Sequence, residues 1–163
     1  MKNIYLIGMP GSGKSTIGKI LANVLDMKFY DMDDYIENIS SHSIPELFDK
    51  GEPVFRMWES VACIRLSAKK KVLVACGGGV VTEEKNIESL SKSGLIIYIK
   101  RPLDLILRDI DFDSRPLLKE REVGLSQLFG KRKKLYEKAA HIIVNNNDSV
   151  ENLIPVLVEQ IMR

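Results

Sequence analysis

Eight residues near the start of the chain, Gly8-Met9-Pro10-Gly11-Ser12-Gly13-Lys14-Ser15, constrain its fold more than any other feature. They match G-x-x-x-x-G-K-[ST] in full and stand where that pattern has physical meaning. The apolar run Ile4–Ile7 leads in as a strand, and Ile17, Ile20, Leu21, Val24 and Leu25 follow at the spacing of one helix face. Glycines at such a junction let backbone N–H groups turn inward around phosphate oxygens, and the helix N-terminus behind them adds positive dipole. Lys14 has the reach for β- and γ-phosphates, and the Ser15 hydroxyl suits Mg²⁺. The bland alternative is a glycine-rich turn with a chance Lys-Ser, and the strand-to-helix context argues against it. The chain is therefore expected to bind a nucleoside triphosphate. The loop alone does not separate a kinase from a GTPase or an ATPase motor.

Further apolar runs follow at Val72–Ala75, Leu95–Ile99 and His141–Val144, with a weaker one at Lys28–Tyr30. Strands apolar on both faces and separated by helical patterns predict a parallel sheet covered on both sides, with ligands at the carboxyl ends of its strands. Val150, Leu153, Ile154, Leu157, Val158 and Ile161 fit one helix face; Pro155 within them means that the helix starts nearby or is kinked. No repeat, low-complexity tract or linker divides the 163 residues, so one domain is expected. With 45% apolar and 28% charged residues, composition excludes a disordered tail, a collagenous repeat and a disulfide scaffold. No apolar run reaches the roughly 20 residues a membrane span needs. A net charge of +2 gives no overall bias toward nucleic acid or membrane. Cys63, Cys76, His42 and His141 show no zinc spacing, and with no export signal at the N-terminus a cytoplasmic location is expected.

Four other segments have two readings each. Asp31-Met32-Asp33-Asp34 follows the second strand, where Asp31 and Asp33 would point the same way in extended backbone. One could hold a metal-bound water while the other takes a proton from an attacking hydroxyl; alternatively Asp33 or Asp34 caps the next helix. Arg56 has Glu52 four residues before and Glu59 three after, which makes either a surface ion-pair ladder or an arginine held to grip a carboxylate. Gly77-Gly78-Gly79 ends the third strand as a flexible turn or a place of close ligand approach. Arg115, in the aperiodic stretch Asp111–Leu118, belongs to a surface loop or to a lid reaching the transferred phosphoryl group. The basic run Lys131-Arg132-Lys133-Lys134 reads first as a solvated helix face.

Taken in order, the phosphate loop, Asp31-x-Asp33, Gly51-Glu52-x-x-Phe55-Arg56-x-x-Glu59, the triple glycine, Arg115-Pro116-Leu117-Leu118 and Arg132-x-x-x-Tyr136 resemble the shikimate kinase family along nearly the whole chain. The resemblance implies ATP-dependent phosphorylation of the 3-hydroxyl of shikimate, a step toward chorismate and the aromatic amino acids. It implies a three-layer α/β/α fold of the P-loop NTPase, nucleoside-monophosphate-kinase-like type, with five parallel strands and a mobile lid. The single kinase domain would span 1–163, with the phosphate loop at 8–15, a substrate-binding region at about 31–60 and the lid at about 109–122. A monomer is expected, with shikimate and ATP as partners and neither nucleic acid nor membrane.

By the same resemblance, Gly11, Ser12, Gly13, Lys14, Ser15 and Thr16 bind ATP, Arg108 flanks the base, and Arg115 is the lid arginine. Ser15 and, through water, Asp31 hold Mg²⁺. Asp33, catalytic together with Lys14 and Arg115, binds substrate hydroxyls and is the candidate base. Arg56 and Arg132 grip the carboxylate, and Gly77, Gly78 and Gly79 lie against substrate. The pattern is departed from in three places: Cys76 stands where Thr or Ser is usual, His42 where Gly is common, and Asn145-Asn146-Asn147 replaces a more varied adenine-side loop.

Overall fold

A computed structural model describes residues 1–109 and 121–163. The five runs are strands, β1 (Asn3–Ile7), β2 (Lys28–Asp31), β3 (Val72–Ala75), β4 (Gly94–Lys100) and β5 (Ile142–Asn145). They form one all-parallel sheet in the order β2-β3-β1-β4-β5, with β1 at its centre. Around it lie α1 (Lys14–Val24), α2 (Met32–Ser40), α3 (Ile44–Asp49), α4 (Glu52–Ser67), α5 (Glu84–Ser93), α6 (Leu103–Asp109), α7 (Arg121–Ala139) and α8 (Val150–Met162).

The unbroken apolar strands follow from burial on both faces. Along β1, Ile4 and Leu6 join a core with Ile17 and Leu21 of α1 and Leu153 and Leu157 of α8. Tyr5 and Ile7 join a second core with Ile36, Phe55, Leu90, Ile106 and Tyr136, from α2, α4, α5, α6 and α7. Strand β4 alternates in the same way, Ile97 and Ile99 to the first core, Ile96 and Tyr98 to the second. Each fully buried Ile or Leu contributes about 1.5–3 kcal/mol, so these strands have little freedom to slip register. Three layers result, as the sequence predicts.

Ser149 caps α8 by accepting from the Asn152 N–H, and Pro155 sits well inside that helix rather than at its start. At the end of α2 the left-handed residue is Ser41 (φ 58°), so His42 replaces no conformationally required glycine. No described helix is long and apolar enough to cross a membrane.

Candidate active site

The loop between β1 and α1 is shaped by partners for its carbonyls. Lys14 Nζ donates to the carbonyls of Gly8 (2.8 Å) and Met9 (2.9 Å). Arg101 Nη1 donates to Gly11 O at 3.0 Å, and Asn146 Nδ2 to Ser12 O at 2.9 Å. The carbonyl and N–H of one trans peptide point in opposite directions, so holding the Ser12 carbonyl turns the Gly13 N–H the other way. Gly13 caps α1 in the left-handed region (φ 95°), where a side chain would be strained and would crowd Asn146. Gly11, Gly13, Lys14, Ser15 and Thr16 line one cavity of about 800 Å³. Ser12 is fully buried, so its side chain stays out of that cavity. Arg101 and Asn146 carry no short-range motif; the adenine-side loop was the only hint of the second.

Asp31 joins the loop to the next helix. It is the N-cap of α2, its Oδ1 accepting from the N–H groups of Asp33 (3.0 Å) and Asp34 (3.2 Å), while its Oδ2 accepts from Ser15 Oγ at 2.7 Å. Two expectations are thereby corrected. The cap is Asp31, not Asp33 or Asp34, and the helix already begins at Met32, so Asp31 and Asp33 do not alternate along one extended strand. Both still line the cavity. Capping fixes the Asp31 carboxylate and leaves its other oxygen on Ser15, so cap and cation-side role are compatible. A hydroxyl and a carboxylate side by side are hard oxygen donors of the kind Mg²⁺ takes when phosphates and water supply the rest. No cluster of three or more His, Cys, Asp or Glu placed to hold a metal occurs among the described residues.

Arg56, on α4, is not part of a surface ladder. Its Nη1 donates to Glu59 at 2.9 Å and its Nη2 to Glu52 at 3.1 Å, but Glu59's side chain is only 1% exposed and Arg56's 12%. Burial lowers the Arg56 pKa, and the two glutamates more than offset it, so the guanidinium stays charged. Burial pushes Glu59 above the usual carboxylate range, with Arg56 pulling the other way. Glu59 Oε2 has no hydrogen-bond partner among the described residues.

The triple glycine is needed for space. A Cβ on Gly79 would fall on the Arg56 guanidinium. One on Gly78 would meet Pro10 of the phosphate loop at 2.9 Å and Arg132 Nη1 at 3.3 Å. One on Gly77 would meet Glu59 Oε2 at 3.0 Å and Asp33 Oδ1 at 3.5 Å. None of the three has a positive φ, so close approach of neighbouring groups, not a left-handed backbone, is what asks for glycine in this turn. The bodies closing on this strip are the site's own side chains. Arg132 is turned inward (7% exposed) from the basic run on α7, while Lys131 and Lys134 stay exposed. One turn on, Tyr136 donates to Gly78 O at 2.6 Å and stacks on Tyr98.

Phe48 and Phe55, stacked 4.4 Å apart, add an apolar wall. Cys76 also lines the cavity but is 3% exposed, and burial pushes its thiol pKa far up, so it stays a neutral thiol. Arg108 is not among the residues lining the cavity; its side chain is 69% exposed and reaches Asp109. Arg115 and residues 110–120 of the expected lid lie outside the described residues.

A phosphate loop alone fits many P-loop NTPases, but one that shares its cavity with two inward arginines and a carboxylate has the layout of a small-molecule kinase. The family model for shikimate kinase matches residues 10–162. The chain belongs to the shikimate kinase family. It is 44% identical to a shikimate kinase of Clostridium beijerinckii, over 99% of this chain and 96% of that one. Among solved structures, shikimate kinase from Acinetobacter baumannii in complex with shikimate superposes with a TM-score of 0.94 at 35% identity, covering 99% of this chain and 93% of that one. The enzyme from Aquifex aeolicus gives 0.86 at 34% identity, over 98% and 96%.

Proposed function

We propose that the chain transfers the γ-phosphoryl group of ATP to the 3-hydroxyl of shikimate. The observation that carries this is the glycine strip. Asp33 lies against Gly77, Arg132 and the phosphate loop against Gly78, and Arg56 against Gly79. Acid grip, candidate base and phosphate cradle thus meet within one cavity.

Arg56 and Arg132 hold the substrate carboxylate, and Arg56 is held in turn by Glu59 and Glu52, so its fork is oriented before substrate arrives. Asp33 accepts a hydrogen bond from the reacting hydroxyl and takes its proton as the oxygen attacks phosphorus. Lys14 and the loop N–H groups stabilise charge on the phosphate oxygens. Ser15 and Asp31 are the residues that would hold Mg²⁺, which when bound neutralises charge on the β- and γ-phosphates. We read the working unit as a monomer acting in the cytoplasm, in keeping with a single domain that carries both the phosphate loop and the acceptor pocket.

An ADP-release assay with ATP and shikimate, gluconate or CMP tests the reading. Turnover is expected with shikimate and background with the others. Turnover with gluconate or CMP and none with shikimate would reassign the acceptor.

A further inference from the structure

Arg101, the first residue after β4, spans the phosphate loop and the end of α6. Through Nη1 it donates to the Gly11 carbonyl of the phosphate loop at 3.0 Å, and through Nη2 it pairs with Asp109, the last residue of α6. The Gly11–Ser12 peptide is held at its other end as well, because the Ser12 N–H donates to Met9 O at 3.1 Å. Asp109 also accepts from Arg108 Nε at 3.4 Å. One carboxylate therefore gathers two arginines, one of which grips the loop that cradles phosphates.

We infer that Arg101 and Asp109 form a clasp that positions the phosphate loop against α6 for nucleotide binding; this rests on the ATP reading above. A mainly stabilising role is a poor fit to the geometry. Asp109 is 49% exposed, and ion pairs of that exposure contribute about 0–1 kcal/mol to folding. The planar fork is what matters, since two nitrogens of one rigid group address two partners at once, which an ammonium on a flexible stem does poorly. A loop fixed before the ligand arrives loses less entropy when phosphates bind, so the clasp acts on nucleotide affinity through the Gly11–Ser12 peptide. The Asp109 carboxyl, held below its usual range by the hydrogen bond and charge of Arg101, is ionised at neutral pH.

The test compares the wild type with Arg101→Gln, Asp109→Asn, the double variant and Arg101→Lys, in the full chain. ATP and shikimate KM, kcat, ADP Kd by calorimetry and Tm are measured. Each single variant is expected to raise ATP KM and ADP Kd about five- to tenfold, the range for one lost hydrogen bond in the binding balance. The double variant should be no worse than the poorer single, shikimate KM should stay within about twofold, and Tm should fall by no more than about 4 °C. Arg101→Lys should stay close to Arg101→Gln. Unchanged ADP affinity overturns the clasp, as does full rescue by lysine, which would make Arg101 a point charge, or additive losses, which would make it a direct ligand contact. A wild type that binds ADP with this clasp dependence but does not phosphorylate shikimate would sink the assigned reaction and leave the clasp standing.

Discussion

Gly79 has no side chain because the Arg56 guanidinium occupies the space that a Cβ would need. Gly79→Ala must therefore push Arg56 away from Glu59. The expected result is a shikimate KM raised at least about tenfold, a smaller change in kcat, and a loss of about 1–3 kcal/mol of stability because buried Glu59 loses its cation. A variant with wild-type KM would show that Arg56 does not need its observed position. Two substitutions separate base from grip. Asp33→Asn keeps shape and hydrogen bonding but cannot accept the proton, so kcat should fall while ATP binding holds. Arg56→Lys keeps charge but loses the fork, so shikimate KM should rise more than kcat falls. If Asp33→Asn kept kcat and only raised KM, Asp33 would position substrate and the proton would leave by another route. At this scale the sequence was informative only where chemistry is local. The Gly8–Ser15 loop could be read because eight neighbouring residues make it. The Glu52-Arg56-Glu59 spacing is the same on a wet or a dry helix face, so only the packing around Glu59 decides between ladder and clamp.

Among the elements, α7 carries the clearest coupling of fold to site. Arg132 and Tyr136, four residues apart, share its inward face, one reaching Gly78 with a charge and the other holding the Gly78 carbonyl. Burial pushes the Tyr136 hydroxyl up to about 12, from an ordinary 10. The folded chain thus holds this proton more tightly than the unfolded chain, so the contribution is complete below pH 10 and is lost as pH rises toward 12. Two units correspond to about 2–3 kcal/mol. Burial raises Tyr5 and Tyr98 in the same direction, so the useful quantity is the difference between wild type and Tyr136→Phe. Urea unfolding at pH 9 and 11.5 should show the wild type losing about 2 kcal/mol more than the variant; equal losses would contradict the buried hydroxyl. Patterning alone found the α7 basic run but not its inward member, since four cations in a row look alike until one is packed; only the family resemblance singled out Arg132. The position of the α2 cap was misjudged for a different reason. Asp31, Asp33 and Asp34 are all good cap residues, and the choice depends on where β2 releases the chain.

For the molecule as a whole, the two-sided burial of β1, β3 and β4 made the sheet legible, because only a sheet covered on both faces asks for strands apolar throughout. The strand order was not legible from patterning, nor were Arg101 and Asn146, which reach the phosphate loop from 90 and 134 residues away. Their roles arise from the fold rather than from any motif. The same fold brings Asp33, Arg56 and Arg132 to one glycine strip beside the phosphate loop, and that convergence is what supports the proposed acceptor, with its carboxylate and neighbouring reactive hydroxyl. The most direct test of this assignment is the identity of the phosphorylated atom. Protein, ATP and shikimate are incubated together, and the product is examined by phosphorus–proton correlation NMR. One new phosphomonoester is expected, its phosphorus coupled to the proton on C3 of the ring, and that signal should be lost with Lys14→Ala. A phosphoryl group on another hydroxyl, or a wild-type sample that forms no phosphomonoester, would contradict the assignment.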